Sequence, residues 1–126
     1  MAILSFPFLG HSQEREYDVF VPISKYIQCG DAEKLSAWFA ENLEITVFST
    51  TNESSRNQAR LIMKTFFNTY TPRLFEINHR AGRSNLKYAV GSLNAGGERF
   101  LVTIFVSNAA DSSGFHIQQL KIEKAE

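Results

Sequence analysis

The sequence predicts an α+β domain in which three helices pack on one face of a curved antiparallel sheet. Three observations carry that prediction. Helical periodicity is confined to residues 22–72, extended segments follow it to the end, and the junctions between those segments are rich in Gly, Asn and Ser. At 126 residues the chain fits one compact domain. The domain is assigned to residues 20–124, after an N-terminal segment 1–19.

Pro22 suits the first turn of a helix, Ile23, Tyr26 and Ile27 supply apolar spacing, and Gly30 can close it. Asp31 then caps a second helix, DAEKLSAWFA, with Leu35, Trp38 and Phe39 on one side. Leu43, Ile45 and Val47 alternate with Glu44, Thr46 and Phe48 as a strand, and residues 49–54 read as a loop. The clearest helix follows. Ser55 and Gln58 form a capping box, and Ala59, Ile62, Met63, Phe66, Phe67 and Tyr70 make a continuous apolar stripe before Pro72. The remaining extended segments are 74–79, 86–93, 100–106 and 115–122, joined by hairpin loops at 81–85, 94–97 and 108–114.

Residues 100–106, FLVTIFV, lack the alternation of a half-exposed strand. A four-residue turn at Asn94–Gly97 sets Leu93 opposite Glu98 and Gly91 opposite Phe100, and every second residue then shares a face. One face collects Phe75, Ile77, His79, Leu86, Tyr88, Val90, Leu101, Thr103, Phe105, His116, Gln118, Leu120 and Ile122. Its larger apolar load assigns it to the helices. The other face sets Phe100, Val102, Ile104 and Ile117 among polar residues, an apolar middle within a polar rim, and predicts a homodimer through the sheet. The alternative cover for that face is the N-terminal segment itself.

Composition narrows the function classes. Thirteen Lys plus Arg balance thirteen Asp plus Glu without runs of either sign, so the sequence shows no footprint for nucleic acid. Cys29 is the single cysteine, expected half-buried at a helix end, and no Cys/His spacing suits a metal. No phosphate-binding loop, dinucleotide fingerprint or other cofactor motif is present. No apolar run is long enough to span a membrane. Ala2–Leu9 is apolar yet has no basic residue before it and carries Pro7; it matches the end of a secretory signal whose start lies further upstream. Periplasm or cell envelope is the destination if so, cytoplasm otherwise.

The element order resembles the nuclear transport factor 2-like superfamily, a cone-shaped, cystatin-like roll that often dimerises and often encloses a pocket. Gly30-Asp31-Ala32-Glu33-Lys34-Leu35, Phe39, Ile45, Tyr88-Ala89-Val90-Gly91-Ser92-Leu93 and Ile117-Gln118-Gln119-Leu120-Lys121-Ile122-Glu123 resemble a bacterial family called domain of unknown function 4783. These motifs are structural, not catalytic. The resemblance implies an exported protein.

Enzymes of that superfamily place Asp, His and Tyr in the cone. Here Asp18, Asp31 and Asp111 fall in caps or loops and Glu76 on the outer face. The leading expectation is therefore a non-catalytic dimer binding a small, largely apolar ligand or a partner in the cone through Trp38, Phe66, Tyr70, Tyr88, Phe105, His116 and Gln118. One alternative is an isomerase, dehydratase or cyclase with His116 or His79 as base and Tyr88 as hydrogen-bond donor. A second is an interaction module whose cone is filled by the eleven phenylalanines.

Overall fold

The structure, a computed structural model, describes residues 18–108 and 114–125. Most of the N-terminal segment read as a signal remnant, and Asp111 with much of its loop, lie outside the described residues. The elements run α1 (Phe20–Cys29), α2 (Ala32–Ser36), β1 (Phe39–Val47), β2 (Thr50–Ser55), α3 (Arg56–Thr69), β3 (Pro72–Arg83), β4 (Leu86–Ala95), β5 (Glu98–Ser107) and β6 (His116–Lys124). They build one curved, unclosed sheet in the order β2-β1-β6-β5-β4-β3 with the helices on one face. All neighbouring strands are antiparallel except β1 and β6, which run parallel. The α+β class is as expected; the parallel pair and β2 are additions to it.

Local chemistry explains most boundaries. Gly30 closes α1 at φ 68°, a left-handed conformation in which the Gly30 and Asp31 amides donate back to Ile27 and Tyr26. The Asp31 carboxylate accepts from the Lys34 amide at 3.0 Å. Ser55 and Gln58 make the reciprocal capping box on α3. Cys29, expected half-buried, is exposed on the last turn of α1.

The second helix is shorter than its ten-residue pattern. It stops at Ser36 because Phe39 is drawn into the sheet: the Ile117 amide donates to the Trp38 carbonyl at 2.6 Å, and Phe39 is fully buried. Long-range pairing outweighs local preference there. The segment expected as a loop pairs with β1 as β2, and the Thr46 and Thr51 hydroxyls bond across the strands at 2.9 Å. Phe48 makes the intervening turn at φ 61°, where a non-glycine residue is strained.

The face assignment is inverted relative to the expectation. Phe100, Val102, Ile104 and Ile117 are at most 1% exposed and sit beneath the helices, while Leu101 on the opposite face is 37% exposed. Three details account for the inversion. The β4–β5 connection is a two-residue turn with Gly96 and Gly97 at φ 59° and 81°, so Leu93 pairs with Phe100; this shift of two preserves the faces. A bulge between Ile77 and His79 then puts Phe75 and Ile77 on the side of Gly91, and another at Gln118 puts Leu120 and Ile122 on the side of Phe100. Those four apolar residues had tipped the count toward the wrong face.

The core therefore lies between the helices and the row Phe100, Val102, Ile104 and Val106, supplemented by Leu93, Leu120, Ile122, Met63 and Phe66. Gly91 is needed there: a Cβ on it would lie 2.7 Å from the Phe75 ring. Gln28 ties α1 to the sheet edge by accepting from the Phe75 amide at 2.9 Å.

Candidate functional site

Two regions compete as the functional site, the interior of the cone and the outer face of its sheet. The interior is filled. Phe39, Leu93, Phe100, Ile104, Ile117 and Leu120 have no accessible surface, so no water-sized void adjoins them. At one end four rings close the gap between α3 and the sheet. Phe100 lies 5.2 Å from Phe66 and 5.0 Å from Tyr70, and Phe48 covers all three at centroid distances of 5.9–6.3 Å. These edge-to-face and tilted contacts are favoured aromatic geometries. Phe48 is 38% exposed and forms the outer surface of the plug.

The expected ligand residues accordingly divide. Phe66 and Tyr70 belong to the plug, and Trp38 is half-buried against the core. Tyr88 and Phe105 point the other way, onto the outer face, with ring centroids 5.3 Å apart. Gln118 is the exposed bulge residue of β6, and His116 sits at the start of that strand opposite Ser107. Seven residues expected around one pocket thus occupy both sides of the sheet. The residues expected at a dimer contact, Phe100, Val102, Ile104 and Ile117, are instead core. They cannot meet a second subunit without unpacking the helices.

The acid–base alternative is likewise dispersed. The Tyr88 hydroxyl and His79 Nε2 are 3.4 Å apart, but this pair lies on the exposed face. His116 belongs to a different strand end, on the row that runs through Ser107 to Leu86. Among the described residues, no three His, Cys, Asp or Glu side chains converge to hold a metal ion.

The outer face has its own organisation. Strand pairing aligns Glu44, Gln119, Phe105 and Tyr88 in one row, and Thr46, Lys121, Thr103, Val90 and His79 in the next. Leu101 and Ser92 continue into a third row flanked by Glu123 and Glu76. Phe105, Tyr88, Val90 and Leu101 form an apolar middle. Around them, Gln119 donates to Glu44 at 3.1 Å, Ser92 to Asn78 at 2.8 Å, and Lys121 approaches Glu123 at 3.8 Å. The pattern expected of an interface is present, on the face opposite to the one first assigned. Phe48 was missed as a plug because the alternation from Leu43 extended the strand through it, on the side of Glu44 and Thr46, whereas the strand ends at Val47 and Phe48 turns at φ 61°.

Comparison with known proteins follows this geometry. A structure of a DUF4783 family protein from Bacteroides uniformis superposes with a TM-score of 0.81 at 18% identity, covering 86% of this chain and 99% of that one. A domain of unknown function with a cystatin-like fold from Nostoc punctiforme gives 0.66 at 15% identity, covering 83% and 72%. An NTF2-like protein of unknown function from Cytophaga hutchinsonii gives 0.60 at 9%, covering 84% and 86%. No curated protein matches the chain. The family model described as "Domain of unknown function (DUF4783)" matches residues 20–123, which span the helices, the plug and nearly the whole sheet; the chain belongs to that family.

Proposed function

We propose that this domain is a non-catalytic interaction module that self-associates through the outer face of its sheet, with the cone serving as core. The observation that carries this reading is the contrast between a closed interior and an outer face of Tyr88, Val90, Leu101 and Phe105 set in a polar rim. Such a patch covers a few hundred Å², and a standard dimer contact takes roughly 800 Å² from each partner, which the surrounding rim would supply. A second copy is a suitable occupant. The rim carries both signs, with Glu44, Glu76 and Glu123 near Lys121, and the chain's formal net charge is zero, so two copies meet without long-range repulsion.

Light scattering on the full chain tests the reading. The expected mass at micromolar concentration is twice the 14.3 kDa of the chain, falling to 14.3 kDa for Leu101→Lys. A wild-type protein that stays at 14.3 kDa overturns it.

One observation favours a second reading, in which the plug admits a small apolar ligand. Phe48 holds a left-handed backbone conformation, which costs on the order of 1–3 kcal/mol, and turning it aside would expose Phe66, Tyr70 and Phe100. Native mass spectrometry of the purified protein checks this. A co-purifying molecule lost in Phe66→Ala supports the ligand; a bare protein mass argues against it.

A further inference from the structure

A groove of about 610 Å³ lies away from both the plug and the apolar outer patch, between the start of α1 and the tip of the β3–β4 hairpin. Arg80, Arg83 and Lys87 line it together with Asp18, Phe20 and Gly82. Its size falls within the roughly 300–1,000 Å³ of small-molecule sites. Three cations face one carboxylate, a local excess of positive charge in a chain whose formal net charge is zero.

That carboxylate is already committed. One Asp18 oxygen accepts from the Phe20 amide at 2.9 Å at the start of α1, and the other pairs with Arg80. Arg80 is held further by the Phe20 ring, 5.9 Å below its guanidinium carbon. Its planar fork is thereby fixed in orientation. The Arg83 side chain has no hydrogen-bond or ion-pair partner among the described residues, and the Lys87 ammonium rests 5.1 Å over the Phe115 ring, a contact that leaves its charge unneutralised. Gly82, at φ 135°, allows the two strands to approach so closely that a Cβ would lie 2.6 Å from the Lys87 Cα. Arg83 ends β3 and Lys87 stands near the start of β4, so both reach the same groove from the hairpin tip.

We propose that this groove binds an oxyanion, a phosphate or a carboxylate, through Arg83 and Lys87, with the anchored Arg80 completing the cationic wall. Arginine forks and lysine ammonium groups are the side chains that recognise these anions.

The test is titration of the isotopically labelled full chain with phenyl phosphate and, separately, with benzoate, read by amide shifts. Saturable shifts confined to residues 80–87 and the start of α1 are expected with at least one of the two, and the tighter arm assigns the anion. The R83Q/K87Q double variant should weaken binding by about a hundredfold, since each of the two charged hydrogen bonds is worth about a decade. R73Q/R99Q, which removes two cations outside the groove, should leave it unchanged. Shifts that grow without saturating, or that survive R83Q/K87Q, overturn the proposal. So does binding seen only after E14Q/E16Q, because the chain's own carboxylates would then be the occupants.

Discussion

Both sides of β5 carry large apolar side chains, Phe100, Val102 and Ile104 on one and Leu101 and Phe105 flanking Thr103 on the other, yet the first three are at most 1% exposed and Leu101 is 37% exposed. The strand's own composition does not decide which side the helices cover. Its neighbours do. Ala89, Gly91 and Leu93 from β4, Leu120 and Ile122 from β6, and Phe75 from β3 all reinforce the Phe100 side. On the other side Phe105 meets Tyr88 and Gln119, and Thr103 meets Val90 and Lys121. One side is a complete core and the other a bordered patch.

The comparison breaks most visibly at its centre. Phe100→Ala removes a fully buried ring from the plug and should cost about 3–5 kcal/mol in denaturant unfolding, whereas Phe105→Ala, one face away, should cost well under half of that. Equal losses would refute the inner and outer assignment. Next comes Gly91→Ala, which forces a Cβ against the Phe75 ring and should destabilise by roughly 1–3 kcal/mol; a paired Phe75→Leu change should recover part of the loss. Ser55→Ala deletes the acceptor for the Gln58 amide at the start of α3, with an expected cost of about 1 kcal/mol, visible as a lower unfolding midpoint without a changed slope.

The smallest effect is electrostatic and peripheral. Lys124 Nζ lies 2.8 Å from Glu98 Oε1, and this hydrogen bond, then the carboxylate's charge, holds the ammonium above the ordinary lysine range. A raised folded pKa means the pair's contribution is present at neutral pH and lost as pH rises through that folded value. Glu98→Gln should therefore lower the Lys124 titration midpoint, followed by NMR of its side chain, while stability at neutral pH barely moves.

The elements legible in the sequence were those fixed by short-range chemistry. The Gly30 stop, the Asp31 cap, the Ser55 and Gln58 box and the α3 stripe act over a few residues and appear as expected. Positions set by distant partners were not legible. Phe39 leaves its helical pattern because Ile117 waits across the sheet, and β2 forms on a polar segment because β1 offers it a ladder. The candidate site suffered most, since a face is a sum over four strands and two bulges altered the sum. Tyr88 and Phe105 were correctly placed on one face together, but that face looks outward.

The bulge at Gln118 has a consequence for how relatives are compared. One added residue within β6 acts as a change of phase: beyond it, odd and even positions exchange sides while the backbone continues in the same direction. At 18% identity to the Bacteroides uniformis structure, a single-residue gap inside a strand is easily dismissed as an alignment error. Here such a gap would carry meaning, because it determines which half of the strand's side chains is inherited as core and which is left open to change.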